Sequence, residues 1–243
     1  MQIDVVGHWS GWLLPRQDTI LCRLEMQRAG FKEWAVVCQA LGAGRQSIIL
    51  RKGGIAEGRD GFSFRHREFF LFPTWLHEQP AKVREWQGLD GLSENAERPT
   101  VRAGLAQNAE HRSEERVIPP ESDSMLEIRY AAKLETFRTI TLWEVAEALE
   151  PLHILKSEVI RERFEYDAAP GLHVAFVRVY RLDPVWRFPN QRKYGGCRSW
   201  VDLPETPNDL QLEAVLDETE HSKRFEEFVM VVDDQLAKDH PSL

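Results

Sequence analysis

The chain has 243 residues, 42% hydrophobic and 29% charged, the composition of an ordinary soluble globular protein with room for one large domain or two small ones. No apolar run reaches the roughly 20 residues that span a bilayer. The N-terminus lacks the order of a secretory signal, and three scattered cysteines (Cys22, Cys38, Cys197) predict reduced thiols in a cytoplasmic setting, not a disulfide framework.

Net charge is −8, but residues 202–243 carry 12 acidic and 3 basic side chains, so the remainder is close to neutral. Bulk acidity lends no support to nucleic-acid contact and does not exclude a local basic face. Residues 1–25 show aromatics without a sustained period. They read either as an appendage from an upstream start codon or as an element docking through Trp9 and Trp12. "WAVVCQAL" (34–41) and "QSIILR" (46–51) are β-rich runs separated by "GAGR". Those glycines permit positive φ, so a hairpin is expected.

"GFSFRH" (61–66) and "EFFLFP" (68–73) read as two strands or one bent strand, ended by Pro73, which has no N–H for a ladder. Pro80 suits the first turn of a short helix reaching about Gln87, with Val83 and Trp86 inward. Residues 93–124 limit their large aliphatics to Val101, Leu105, Val117 and Ile118. They can bury little, which predicts a mobile linker or insert. "TLWEVAEAL" (141–149) predicts a helix capped by Thr141, with Glu144 completing a capping box and Leu142, Val145, Ala146 and Leu149 inward.

"HVAFVRVYRL" (173–182) is apolar on both faces, as a central strand is, and Asp183 and Pro184 should stop it. "CRSWVDL" (197–203) is a further strand candidate. "SKRFEEFVMVVDDQL" (222–236) is an amphipathic helix with Phe225, Phe228, Val229, Val232 and Leu236 in register.

Known chemical motifs are absent. In "IILRKGGIAEG" (48–58) Arg51 and Lys52 precede Gly53 and Gly54, and no Ser or Thr follows, so it is no Walker loop. "GAGRQS" has Ser47 where a dinucleotide fingerprint needs its third glycine. What remains is two cations and two glycine amides at a strand end, able to hold an anion or simply to form a solvated turn. His66, His77 and Cys197 match no zinc spacing, so no metal is expected and no cofactor is specified. "GGCRSW" is not a nucleophile elbow, and Cys197 reads as a buried structural thiol. None of the eight lysines has a glutamate two positions earlier, which disfavours a Glu-x-Lys nuclease.

Arg178 lies between Phe176 and Tyr180 on one strand face. Burying a guanidinium demands a partner, so it either lines a polar cleft or pairs with a carboxylate such as Glu158 or Glu162. Trp200, Tyr194 and Arg198 form an aromatic–cation group that stacks a base or belongs to core and rim.

The blocks "KEWAVVCQALGAGRQSIILRKGGI", "FFLFPTWLH", "FVRVYRLDPVWRFP" and "YGGCRSWVDL" occur in this order over residues 31–203. This arrangement resembles the uncharacterised bacterial family known as domain of unknown function 1802. The matching positions are Arg51, Lys52, Gly53, Gly54, Pro73, Thr74, His77, Arg178, Tyr194, Gly195, Gly196, Cys197, Ser199 and Trp200. The resemblance implies no established activity. It implies an association of some members with restriction–modification proteins, and through that with nucleic acid.

The expected fold is α+β, a mixed or antiparallel sheet with a few packed helices in one compact unit. Its expected parts are an appendage (1–30), a β-rich block (31–92), a polar insert (93–125), an α/β block (126–203) packing on the first, and an acidic tail (204–243). Three functions compete: a nucleic-acid-associated restriction or defence module, a small-molecule or nucleotide enzyme with a cleft between the blocks, and an interaction module whose acidic tail docks a protein partner. The anion- or substrate-binding candidates are Arg51, Lys52, Gly53, Gly54, Thr74, His77, Arg178, Tyr194, Ser199 and Trp200, and the acid–base candidates are His66 and His77.

Overall fold

The computed structural model describes residues 28–52, 62–75, 79–85, 125–166, 169–196 and 198–239. Strand β1 (Ala29–Trp34) runs directly into helix α1 (Ala35–Gly42), and β2 (Ile48–Arg51) follows. The expected hairpin over 34–51 is therefore corrected to strand–helix–strand. Apolar residues fill every side of α1 except at Gln39, so the segment shows no helical polar stripe to distinguish it from a buried strand. Gly44, at φ 66°, takes the left-handed position just beyond the helix end.

Strand β3 (Glu68–Thr74) follows, running one residue past Pro73. Residues 62–66 form no strand, yet Phe62 and Phe64 are buried. Pro80 lies in a short 3-10 turn, Gln79–Lys82, and Val83 is buried against an isolated bridge to Leu155, while Trp86 lies outside the described residues.

Strand β4 (Met125–Ile140) leads to α2 (Trp143–Ala148), α3 (Ser157–Phe164) and β5 (Leu172–Pro189). Helix α2 starts later than the capping box predicts, with Leu142 at the cap and no side-chain cap bond there. Pairing of Ile140 with Leu172 holds the chain extended up to that point. Val145, Ala146 and Leu149 are buried as their spacing predicts. Strand β5 is not stopped at Pro184. The β4 pairing jumps from Arg181 opposite Tyr130 to Trp186 opposite Ile128, and Pro184 sits in that irregularity, where no ladder N–H is required. Short strands β6 (Trp200–Asp202) and β7 (Gln211–Ala214) precede helix α4 (Glu218–Asp239).

Among the described residues the strands form one seven-stranded mixed sheet, ordered β2-β5-β4-β3-β1-β6, with β7 also on β5. Strands from both expected blocks thus share the sheet. Pairing is antiparallel except between β1 and β3. Together with four helices this is the expected α+β architecture.

The sheet curls. A flat sheet would put β2 and β1 four strand spacings apart, roughly 19 Å, yet the Arg51 guanidinium on β2 donates to the Lys32 carbonyl on β1.

Alternation along β3 separates two cores. Phe69 and Leu71 enter the larger one with Phe31, and Phe70 and Phe72 enter the smaller one with Trp186, Phe188 and Tyr194. Helix α4 lies across β5, with Phe225 and Phe228 ring centroids 5.2 and 5.4 Å from that of Phe176. Phe228 and Val232 are buried and Phe225 and Val229 half-buried, whereas the side chain of Leu236 lies outside the described set. No helix among the described residues is long and apolar enough to cross a membrane.

Candidate anion-binding surface

Arg51 and Thr74 converge on the end of β1. The Arg51 Nε lies 3.7 Å from Glu33 Oε2, and its guanidinium sits 4.9 Å from the centre of the Phe31 ring. The Thr74 hydroxyl donates to the Glu33 carbonyl at 3.0 Å. Glu33 itself is almost wholly buried and accepts from the Trp34 backbone N–H at 2.7 Å.

Arg163 on α3 completes the group. It stacks 4.5 Å from the Trp34 ring and donates to the Leu50 carbonyl at 3.0 Å. Burial pulls Arg163 below the ordinary arginine range, against the opposing pull of the Glu33 carboxylate. Burial, reinforced by that same carboxylate, pushes the Cys38 thiol well up, so it stays protonated. Lys52 reaches the other way, donating to the carbonyls of Ala169 and of Phe164, the latter at 3.5 Å, at the C-terminus of α3. These contacts bind β1, β2 and α3 to one another.

The remaining candidates are dispersed. Arg178 lies five residues along β5 from His173, the register partner of Arg51, which is roughly 17 Å away and on the opposite sheet face. It does pair with a carboxylate, but with Glu218 at 2.6 Å and not with Glu158 or Glu162, because α4 and not α3 covers that face of β5. The hydrogen bond from Arg178 holds the Glu218 carboxyl below its usual range. Tyr194 is buried between Phe72 and Phe188, with ring centroids 5.6 and 5.7 Å away.

Trp200 instead packs on Phe31 and Phe69 and donates to the Ser63 carbonyl at 3.3 Å, so the Tyr194–Trp200 pair is divided between the two cores. His66 stacks edge-on against Trp200 at 4.8 Å. Buried Ser199 accepts the Lys32 backbone N–H at 2.8 Å through its carbonyl, and the Lys32 Nζ donates to Gly196 and Gly195 carbonyls at 2.8 and 3.1 Å. Gly53, Gly54, His77 and Cys197 lie outside the described residues.

A further surface, carried by no known motif, is formed by Phe64, Arg65 and Arg67, which precede β3, facing Leu134 to Arg138 on β4. Together they line an open groove of about 470 Å³. The Leu134 N–H to Arg67 carbonyl bond of 2.7 Å joins its two walls. A register shift at Glu135 interrupts the β4 ladder beside it, as a bulge does where a strand must re-aim its side chains. Phe137 is 50% exposed, and its ring centroid lies 6.1 Å from that of Phe64. Arg138 is braced along its own strand by the Thr136 hydroxyl and the Phe137 carbonyl, both at 2.8 Å. Arg65 and Arg67 are exposed and form no ion pair with any described residue. Glu135, the one acidic lining residue among the described residues, is 3.9 Å from Lys133. The sequence carries a trace of this surface, in the phenylalanine–arginine neighbours of "FRHR" and "TFRT".

A curled mixed sheet with packed helices and an arginine–phenylalanine groove defines a single-sheet α+β protein. The chain belongs to the family described as a domain of unknown function, DUF1802, which matches residues 30–227 and so extends through β7 into α4. No curated protein matches the sequence. Among solved structures, ASCH from Zymomonas mobilis is 11% identical, with 82% of this chain and 93% of that one covered and a TM-score of 0.35. A substituted form of that protein gives 12% identity, 82% and 96% coverage and a TM-score of 0.33.

Proposed function

We propose that the protein binds nucleic acid through the groove between residues 64–67 and 134–138. The observation that carries this reading is the convergence of Arg65, Arg67 and Arg138 with the exposed Phe137 ring on one open surface, the three guanidiniums lacking a carboxylate partner among the described residues. Exposed guanidiniums pair with phosphates, and an exposed aromatic ring beside them stacks a base. The chain's acidity does not oppose this, because the net negative charge is concentrated in residues 202–243. A restriction or defence setting, which the family resemblance implies, belongs to this reading.

The test is fluorescence anisotropy of a labelled mixed-sequence oligonucleotide between roughly 50 and 200 mM salt. Each phosphate contact contributes about −0.7 to −0.9 to the slope of log affinity against log salt, so three contacts give about −2 to −3. Replacing both Arg65 and Arg67 by Ala should flatten that slope by about 1.5. Absence of binding at the lowest salt would overturn the proposal, since phosphate contacts are strongest there.

A further inference from the structure

We infer that the groove takes single-stranded nucleic acid, with one base stacked on the Phe137 ring and the adjoining backbone held by Arg65 and Arg67. This rests on the nucleic-acid reading above and goes beyond it in naming the form of the partner. Phe137 is the reason. A half-exposed phenyl ring (50%) beside Arg138 finds no stacking partner on the outside of a duplex, which presents sugars and phosphates. It gains from an unpaired base, because every base has a π-face and stacking is indifferent to sequence.

The ring is also backed by the core. Its inner neighbour Phe64 is buried and packs in turn on Phe31 at 6.0 Å, so the platform is anchored to the larger core. The two short walls of the groove, residues 64–67 and 134–138, offer a base one exposed ring and the phosphates beside it the arginines. Arg65 and Arg67 stand on the wall opposite Phe137, as a strand lying along the groove requires.

The experiment compares one labelled strand with the same strand annealed to its complement, binding the full-length protein and its Phe137→Ala and Phe137→Trp variants at low salt. The expected result has three parts. The single strand binds at least about tenfold more tightly than the duplex. Phe137→Ala loses roughly 5- to 150-fold of that affinity with the salt slope unchanged, as removal of one stacking ring does. Phe137→Trp retains binding. Because Phe137 is half-exposed, the Ala variant should fold, and a thermal melt checks that it does. Equal binding of strand and duplex, with Phe137→Ala indistinguishable from the parent protein, overturns this inference and leaves the nucleic-acid reading standing. Absence of binding by either form overturns both.

Discussion

His153 is 2% exposed, and its Nδ1 accepts the Leu155 backbone N–H at 3.1 Å. Burial first, then the charges of Arg84 and Arg163, lower its pKa to about 3. The folded protein therefore keeps this imidazole neutral, whereas the unfolded chain protonates it below about pH 6.5. Between about pH 3 and 6.5 the unfolded state binds the extra proton, so this contribution to stability is complete above that window and is lost as pH falls through it. The expected slope is up to about 1.4 kcal/mol per pH unit. His153→Asn retains an acceptor and removes the titration, so urea unfolding from pH 7 to 4.5 should show a shallower loss than in the parent. Identical profiles would refute this account. Arg178 shows the contrasting case. Its partner Glu218 is 74% exposed, and pairs of that kind contribute little.

Elements meet through charges placed at strand ends. Arg51 clasps the end of β2 to β1 with its side chain 23% exposed, while that of Glu33 is 1% exposed. Removing one partner leaves a buried carboxylate without its near cation, which costs more than the pair itself contributes. Arg51→Met should lower stability by about 3 kcal/mol, the low end of the range for such losses given the partial exposure of the arginine. The double variant Glu33→Gln with Arg51→Met should recover much of it. Chemical unfolding of the three variants measures the coupling, and additive losses would show that the two side chains act independently.

Legibility differs between elements for a related reason. Helix α4 was readable because its apolar residues keep the helical period, and strand β5 because a run apolar on both faces marks a central strand. Helix α1 was not, because burial on nearly every side erases the polar stripe that marks a helix. Thr141 failed as a cap because the long-range pairing of Ile140 with Leu172 overrode the local motif.

At the scale of the molecule, the acidic C-terminal segment is part of the folded body at least through Val232. Phe176 on β5 and Phe228 on α4 are both fully buried, and burying a phenylalanine contributes roughly 1.5–3 kcal/mol. Truncation before Glu218 should therefore give a poorly soluble or non-cooperatively unfolding protein, visible in circular dichroism melts and analytical size exclusion. A truncated chain with an unchanged melt would show that α4 is dispensable.

Composition, hydrophobic pattern and the absence of known motifs determined the α+β class, strands β2, β3, β5 and β6, the C-terminal helix and the exclusion of Walker and dinucleotide loops, because these are properties of contiguous residues, whereas β1, β4 and β7 were not legible. The surface was decided elsewhere. Arg51 and Arg178 look alike in sequence, yet pleat and register place them on opposite faces. Arg67 and Phe137 are far apart in the chain and meet only because Glu68 pairs with Lys133 and β3 lies beside β4. Which side chains share a surface depends on strand order and register. Those are fixed by long-range pairing and by the burial of both cores, and no local stretch of the chain encodes them.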